Sequence, residues 1–313
     1  MENTPFFSVV IALYNKEAFI ENTLKSVLNQ NYSNFEIIVV NDGSTDKSES
    51  IVKRIKDPKI RLFNIENHGA AFARNYGIKK AVANYVALLD ADDLWHINHL
   101  ETLFHLVNEF PNAGMYSTGY NIKLGSKHFK ETKLKGIPDD YRGIIKNYFE
   151  SNLFNSIVNS SVVVIPKHVL DETELFDVNM KSGQDTYLWT QIAIKHKVAI
   201  YNITTATVLR NDNSLSNSVH TKDRILFLDK FIEQEKTNEH LKKFMDMNRY
   251  SVALNFKMNN EASTSKSIFS NIDNNNISLK QKLIYGLPVS LLRMAFNIKK
   301  FLDKKGLFFH LYR

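Results

Sequence analysis

Asp90, Ala91 and Asp92 follow the apolar run Tyr85-Val86-Ala87-Leu88-Leu89. On an extended segment alternate residues face the same way, so the two carboxylates can point into one cleft. Paired hard oxygen ligands, with no His or Cys, suit Mg²⁺ or Mn²⁺ shared with a diphosphate. Asp-rich turns after strands also serve as helix caps and Asx-turns, and Asp93 is the expected N-cap of the helix that follows. A third acid, Asp42, comes after Glu36-Ile37-Ile38-Val39-Val40-Asn41 and before Gly43. At the end of a second parallel strand, an acid can accept hydrogen bonds from a ribose or a base edge. The turn after the first strand, Leu13-Tyr14-Asn15-Lys16, has no G-x-G-x-x-G, and no G-x-x-x-x-G-K-[ST] follows. A bound nucleotide would therefore need its diphosphate neutralised by a metal.

The elements that must position these residues alternate through the first 120 residues. Apolar runs at 7–13, 35–40, 60–65, 85–89 and 114–118 read as strands. Between them lie amphipathic stretches: 16–29 with Phe19, Ile20, Leu24, Val27 and Leu28 on one face, a helix capped by Asp46 that carries Ile51, Val52 and Ile55, then 69–81 and 97–110. This β-α order predicts an α/β fold with a mostly parallel, Rossmann-like sheet flanked by helices. In such sheets ligands collect at the carboxyl ends of strands. The residues expected there are Tyr14-Asn15, Asn41 to Ser44, Asn67-His68-Gly69 and Asp90 to Asp93. Trp95 reads equally as a pocket wall or as core, and His68, His96 and His99 show no metal-binding spacing.

Further along, 160–165 reads as a strand, 185–196 as a helix, and 198–200 and 206–209 as two short strands. After Val219 the pattern is helical, with Ile225, Leu228, Phe231 and Ile232 on one face and Leu241, Phe244, Met245 and Tyr250 on another. The Asn- and Ser-rich stretch 259–276 reads as a loop or linker.

Composition narrows the chemistry. The 313 residues are 43% apolar and 23% charged, ordinary for a globular chain, and there is no cysteine. That excludes a disulfide framework, a thiolate nucleophile and a Cys-ligated metal, and fits a reducing cytosol. The formal charge is +7, and its location is informative. Residues 277–313 hold Lys280, Lys282, Arg293, Lys299, Lys300, Lys304, Lys305 and Arg313 against Asp303, so the other 276 residues sum to zero. No signal peptide or run long enough for a membrane span is read from the sequence. The segment 279–302 interleaves apolar and basic residues, with Pro288 starting or kinking a helix. It suits an anionic membrane surface, or else packs on the catalytic domain or a second subunit. Nucleic acid is not expected, since no recognised binding module accompanies the charge.

Four motifs in order, Ser8-Val9-Val10-Ile11-Ala12-Leu13-Tyr14-Asn15-Lys16-Glu17, Ile38-Val39-Val40-Asn41-Asp42-Gly43-Ser44-Thr45-Asp46, Asn67-His68-Gly69 with Ala73-Arg74-Asn75-Tyr76-Gly77, and Leu88-Leu89-Asp90-Ala91-Asp92-Asp93, resemble family 2 of the glycosyltransferases, with the GT-A fold. The likeness continues more weakly through Ser182-Gly183-Gln184-Asp185 and Arg210 to Ser216. It implies an inverting transferase that uses a nucleotide sugar, most often a UDP-sugar, with Mn²⁺ or Mg²⁺. Carried over, Asp42 would accept from uracil with Ala12, Tyr14 and Asn15 lining base and ribose. Arg74 would contact the donor, Asp90 the ribose or sugar hydroxyls, Asp92 the metal, and Asp185 would be the catalytic base. Gln184 stands where the family commonly has Glu, and Ala12 where it often has proline. Arg210 is read as a phosphate partner beside a lid at 214–216.

The expectation is a catalytic domain over 1–218 and a helical C-terminal region over 219–313. It would extend a bacterial surface polysaccharide at the cytoplasmic face, transferring a hexosyl or N-acetylhexosaminyl group to a glycan or lipid-linked acceptor, with a homo-oligomer left open. The alternatives are a sugar-phosphate nucleotidyltransferase, which wants a Gly-rich loop that Leu13-Tyr14-Asn15 does not supply, and a non-catalytic nucleotide-sugar-binding membrane adaptor.

Overall fold

Short β-branched runs become strands, and the amphipathic stretches between them become helices. The computed structural model describes residues 4–124, 128–210 and 225–304. In chain order the elements are β1 (Phe7–Leu13), α1 (Ile20–Leu28), β2 (Phe35–Asp42), α2 (Ser48–Arg54), β3 (Ile60–Ile65), α3 (Ala70–Lys80), β4 (Tyr85–Asp90), β5 (Leu94–Trp95) and α4 (His99–Glu109). They continue as β6 (Met115–Leu124), β7 (His128–Glu131), β8 (Arg142–Ile144), α5 (Tyr148–Ser151), β9 (Val163–Pro166), α6 (Lys167–Asp171), α7 (Gln184–Lys195) and β10 (Val198–Arg210). Six helices close the described chain: α8 (Ile225–Leu228), α9 (Ile232–Glu235), α10 (Glu239–Met258), α11 (Ala262–Ser270), α12 (Leu279–Gly286) and α13 (Val289–Lys304).

The described residues cluster into two units. One takes in Met1–Ile122, Ile137–Tyr148 and Ile157–Leu209; the other takes in Lys123–Gly136, Phe149–Ser156 and Arg210–Arg313. The boundary expected at 218/219 lies outside the described residues.

In the first unit the strand order is β3-β2-β1-β4-β9-β6-β10-β5, with β8 beside β10. Strands β1 to β4 are mutually parallel. Every residue of β2 is buried, as expected of a strand covered on both faces. Beyond β4 the ladder turns antiparallel at β9, and β6 runs antiparallel to β9 in turn, so the sheet is mixed and its parallel half is the part the sequence pattern announces. The two short strands expected at 198–200 and 206–209 are one strand, β10. Its middle, Tyr201 to Thr204, is polar or half-buried, which hides its continuity from an apolar-run reading.

Helix packing follows the apolar stripes. In α1, Ile20, Leu24 and Val27 are buried, the i, i+4, i+7 spacing of a helix face. In α3 the stripe needs Gly77, because a Cβ there would meet Val10 Cγ1 at 2.4 Å; this lets the helix carrying Arg74 lie close against β1. Register puts the functional ends in one row: Ala12 pairs with both Val40 and Asp90, Leu13 with Asn41, and Asp42 with Ile65.

The second unit is mainly helical. Tyr250, Leu254, Ile272, Ile277 and Leu292 form its apolar centre, with Phe269 stacked on Tyr285 at 3.7 Å between centroids. Its caps are legible: Asn238 accepts from Leu241 N at 3.0 Å, and Ser278 with Gln281 makes a capping box that starts α12. The expected linker at 259–276 contains a helix, α11. Its low-propensity sequence is held by tertiary packing: Ser265 is buried, donates to Ala253 O at 2.7 Å and pairs with Tyr285 Oη at 2.8 Å. Among the described residues, no helix is long and apolar enough to cross a membrane.

Candidate active site

The loops after β1, β2 and β3 are tied together by their own polar groups. Asn15, in a left-handed conformation (φ 49°), donates its N–H to Ser44 Oγ at 3.1 Å, and its Oδ1 accepts from Thr45 N at 2.8 Å. Lys16 N donates to Ser48 Oγ at 2.8 Å. Asp42 accepts from His68 N at 2.8 Å and Gly69 N at 2.9 Å, one on each carboxylate oxygen, and is buried. Each oxygen keeps a lone pair for a further donor. Gly43, at φ +68°, lies so close to the next loop that a Cβ would meet Asn67 N at 2.9 Å, so glycine is required on both counts. Ala12 lies next to the end of β1 in the same row, and Tyr14 is exposed. Asp46 is not the cap of α2: Lys47 holds that position without a side-chain cap, and Asp46, one residue earlier, ties two loops by accepting from Ser48 N at 2.9 Å and from Glu17 N at 3.0 Å.

The carboxylates gather around Arg74. Its guanidinium donates to Asp90 at 2.6 Å and to Asp185, 111 residues further along the chain, at 3.2 Å, linking the end of β4 to the first turn of α7. The guanidinium also lies 5.3 Å from the Phe176 ring. Asn75, its neighbour, clamps the backbone of Phe176 with two hydrogen bonds, at 2.8 and 3.1 Å, which fixes the chain leading to α7. Asp92 is ion-paired with Lys16. Lys16 is the residue the sequence reading passed over: it lies directly after Tyr14-Asn15 in the first motif, but nothing local announces a partner 76 residues away.

Electrostatics sets the carboxylates apart. Burial raises Asp92 above the ordinary aspartate value, opposed by Lys16 and reinforced by Asp90. Asp185 is also raised: withdrawal from solvent leads, Arg74 lowers it, and Asp90 raises it. Its side chain still keeps 44% of its surface open, and that of Asp90 36%, so both can be reached by a ligand. Two neighbouring cations thus do not fully compensate the acids.

Asp93 is not a helix cap. Helix α4 begins six residues later, after Asn98, while Asp93 is buried and accepts from Ser161 Oγ at 2.5 Å and Leu209 N at 2.8 Å. Burial raises its pKa well above the ordinary value, with Asp90 adding to the rise. Ser161 Oγ also accepts from Asp90 N at 3.1 Å, so this pair props the turn that carries Asp90 and Asp92. Trp95 is core: it is buried, and its Nε1 donates to Ser161 O at 2.6 Å. His99 stacks on Trp95 and pairs with Thr205 Oγ1 at 2.7 Å, and burial pushes it down to about 3, so it is neutral there. Arg210 ends β10 and is exposed; the lid expected at 214–216 lies outside the described residues.

Among the described residues, no three His, Cys, Asp or Glu side chains could hold a metal by themselves. Asp90 and Asp92 do supply the one or two carboxylates with which Mg²⁺-like cations are held when phosphates and water complete the shell. The donor set fits a cation brought in with a diphosphate and does not form a closed protein cage.

The parallel half-sheet, the carboxylates at its C-terminal edge and the chain's known relatives agree. The family model for glycosyl transferase family 2 matches residues 8–163, and the chain belongs to that family. An uncharacterized glycosyltransferase of Rickettsia conorii is 32% identical over 257 residues, covering 80% of this chain and 36% of that protein. The minor teichoic acid biosynthesis protein GgaA of Bacillus subtilis is 30% identical over 207 residues, 61% of this chain and 44% of that protein. The chain thus spans about a third of the length of the first rickettsial relatives, 36% and 35%. In fold it is similar to Staphylococcus aureus TarS 1–349, solved in complex with UDP-GlcNAc, at a TM-score of 0.69 and 15% identity over 97% of this chain and 93% of that one. The fold is GT-A, as the motif resemblance implied.

Proposed function

We propose that this chain transfers a sugar from a nucleoside diphosphate sugar, with UDP as the favoured nucleotide, to a hydroxyl of a bacterial surface glycan. The observation that carries this reading is the Arg74 bridge, which brings a reachable Asp185 beside the Asp90-Asp92 edge. The name of GgaA supports a cell-surface glycan as product, and the TarS complex supports UDP as the nucleotide.

In this reading Asp42 offers its remaining lone pairs to the base, with Ala12, Tyr14 and Asn15 beside it. Asp90 orients hydroxyls of the ribose or sugar, and Arg74 holds Asp90 and Asp185 in register with the donor. Asp92, with Asp90, would hold Mn²⁺ or Mg²⁺, whose chemistry when bound is to neutralise the charge that builds on the leaving diphosphate. Asp185 accepts the proton of the acceptor hydroxyl as its oxygen bonds to the anomeric carbon and the bond to the diphosphate breaks. Attack from the face opposite the leaving group inverts the configuration, so an α-linked donor yields a β-glycoside. The raised pKa of Asp185 suits this task, because a carboxylate closer to neutral pH is a stronger base. Lys16 competes for Asp92 when no donor is bound, and Arg210 is retained as a phosphate partner.

The test is UDP release across a panel of UDP-sugars with Mn²⁺, comparing wild type with Asp92→Asn. Turnover of at least one donor, lost in the variant together with metal-dependent donor binding, is expected. Absence of binding by any nucleotide sugar in the presence of metal would overturn the reading.

A further inference from the structure

Helices α12 and α13 carry a run of large apolar side chains that stay exposed. Leu292 is fully buried in the centre of the second unit, which fixes one face of α13 inward. Leu291, Met294, Ile298 and Phe301 lie elsewhere on the helix, each at least 43% exposed. At about 100° per residue these four fall within about 80° of arc, a continuous stripe. On α12, Leu279 and Leu283 stand one turn apart and are the most exposed large apolar side chains of the described residues, at 73% and 65%. Lys280 and Lys282 are exposed beside them. Residues 277–313 also hold the chain's entire net charge, eight basic residues against one acid.

We propose that α12 and α13 form a docking surface for an anionic lipid bilayer, with the leucine, methionine, isoleucine and phenylalanine stripe entering the headgroup boundary and the lysines meeting acidic headgroups. The charge selects this occupant. A second copy docked through the same patch would face it with the same basic segment, as a two-fold interface opposes like surfaces. An anionic bilayer neutralises that charge while it covers the stripe. Helix α13, 16 residues or about 24 Å long, lies in the interface plane in this arrangement. The surface is independent of the transfer chemistry, and its test reads no turnover.

The experiment is sedimentation of the full chain with vesicles of phosphatidylcholine containing about a quarter phosphatidylglycerol, alongside pure phosphatidylcholine vesicles. The comparison is with the triple variant Met294→Gln, Ile298→Gln, Phe301→Gln and, separately, Lys280→Glu with Lys282→Glu. All these side chains are exposed or peripheral to the buried centre, and unchanged thermal melting verifies the fold. Binding at least about tenfold stronger to the anionic vesicles, weakened about tenfold by either set of substitutions and by about 0.5 M salt, is expected. Equal binding by wild type and both variants, or no vesicle binding by the wild type, overturns the proposal. So does concentration-dependent dimerisation that the triple variant abolishes, which would make the stripe a subunit contact.

Discussion

Two clusters of acids and bases among the described residues, one around Arg74 and one around Arg249, are built differently. Around Arg249, in the helical unit, Glu235 accepts at 2.6 Å from each guanidinium terminus and Asp246 accepts at 3.0 Å. Lys242 is paired with Asp246, whose other oxygen takes Asp273 N at 3.1 Å and Asn276 Nδ2 at 2.8 Å. Two acids thus meet two bases, and the side chains of Glu235, Asp246 and Arg249 are at most 7% exposed. Around Arg74, by contrast, Asp90, Asp92 and Asp185, with Asp93 beneath, outnumber Arg74 and Lys16, and two of the carboxylates are open to solvent. The balanced, closed cluster pins α8 and α9 to α10 and to the loop before α12. The unbalanced, open one keeps unmet negative charge, which is what the proposed transfer site requires.

Breaking the closed cluster should have the larger effect on stability. Arg249→Met strips buried Glu235 of both its guanidinium hydrogen bonds, leaving Lys242 at 3.8 Å as its nearest cation while Asp246 keeps its Lys242 pair, and a loss of about 3 kcal/mol is expected in denaturant melts. The folded fraction should bind UDP-sugar with unchanged affinity; weakened binding there would erase the distinction between the two clusters.

Arg74→Gln should instead move a pH profile. A carboxylate base works when deprotonated, so the rate falls as pH drops through its pKa. Because Asp185 is raised above its ordinary 3.8, the wild-type acid limb of kcat/KM should lie above pH 3.8. Removing Arg74, which lowers that pKa, should carry the limb further toward neutral. A limb that stays in place would detach Arg74 from the base.

A smaller effect is expected at Lys16. Lys16→Ala frees Asp92 from its ammonium partner, so Mn²⁺ should bind the UDP complex about fivefold more tightly, equivalent to about 1 kcal/mol for a partly exposed pair. Titration calorimetry reads this directly, and weaker Mn²⁺ binding would show that Lys16 assists the cation.

The parallel half of the sheet was legible because β1, β2 and β4 are short apolar runs, and each ends in the polar residues proposed for the site. Asp42, Asp90 and Asp92 could be read as candidates where they stand, whereas the role proposed for Asp185 came through the motif resemblance, since its meeting with Arg74 is made only by the fold. Asp93 misled because an acid before a helix is a common cap, and only Ser161 and Leu209, both remote in sequence, reveal it as a buried prop. Helix α11 was hidden by its serines, since the packing of Ser265 on α10 is tertiary and leaves no periodic apolar trace. The pairing of Lys16 with Asp92 is likewise a property of the fold.

The central claim is that Asp185 takes the acceptor's proton. Asp185→Asn should bind UDP-sugar and Mn²⁺ as wild type does while kcat falls by about 10²–10⁴, as followed by donor titration and UDP release on the same preparation. Turnover within a few-fold of wild type, with donor binding intact, would contradict the account.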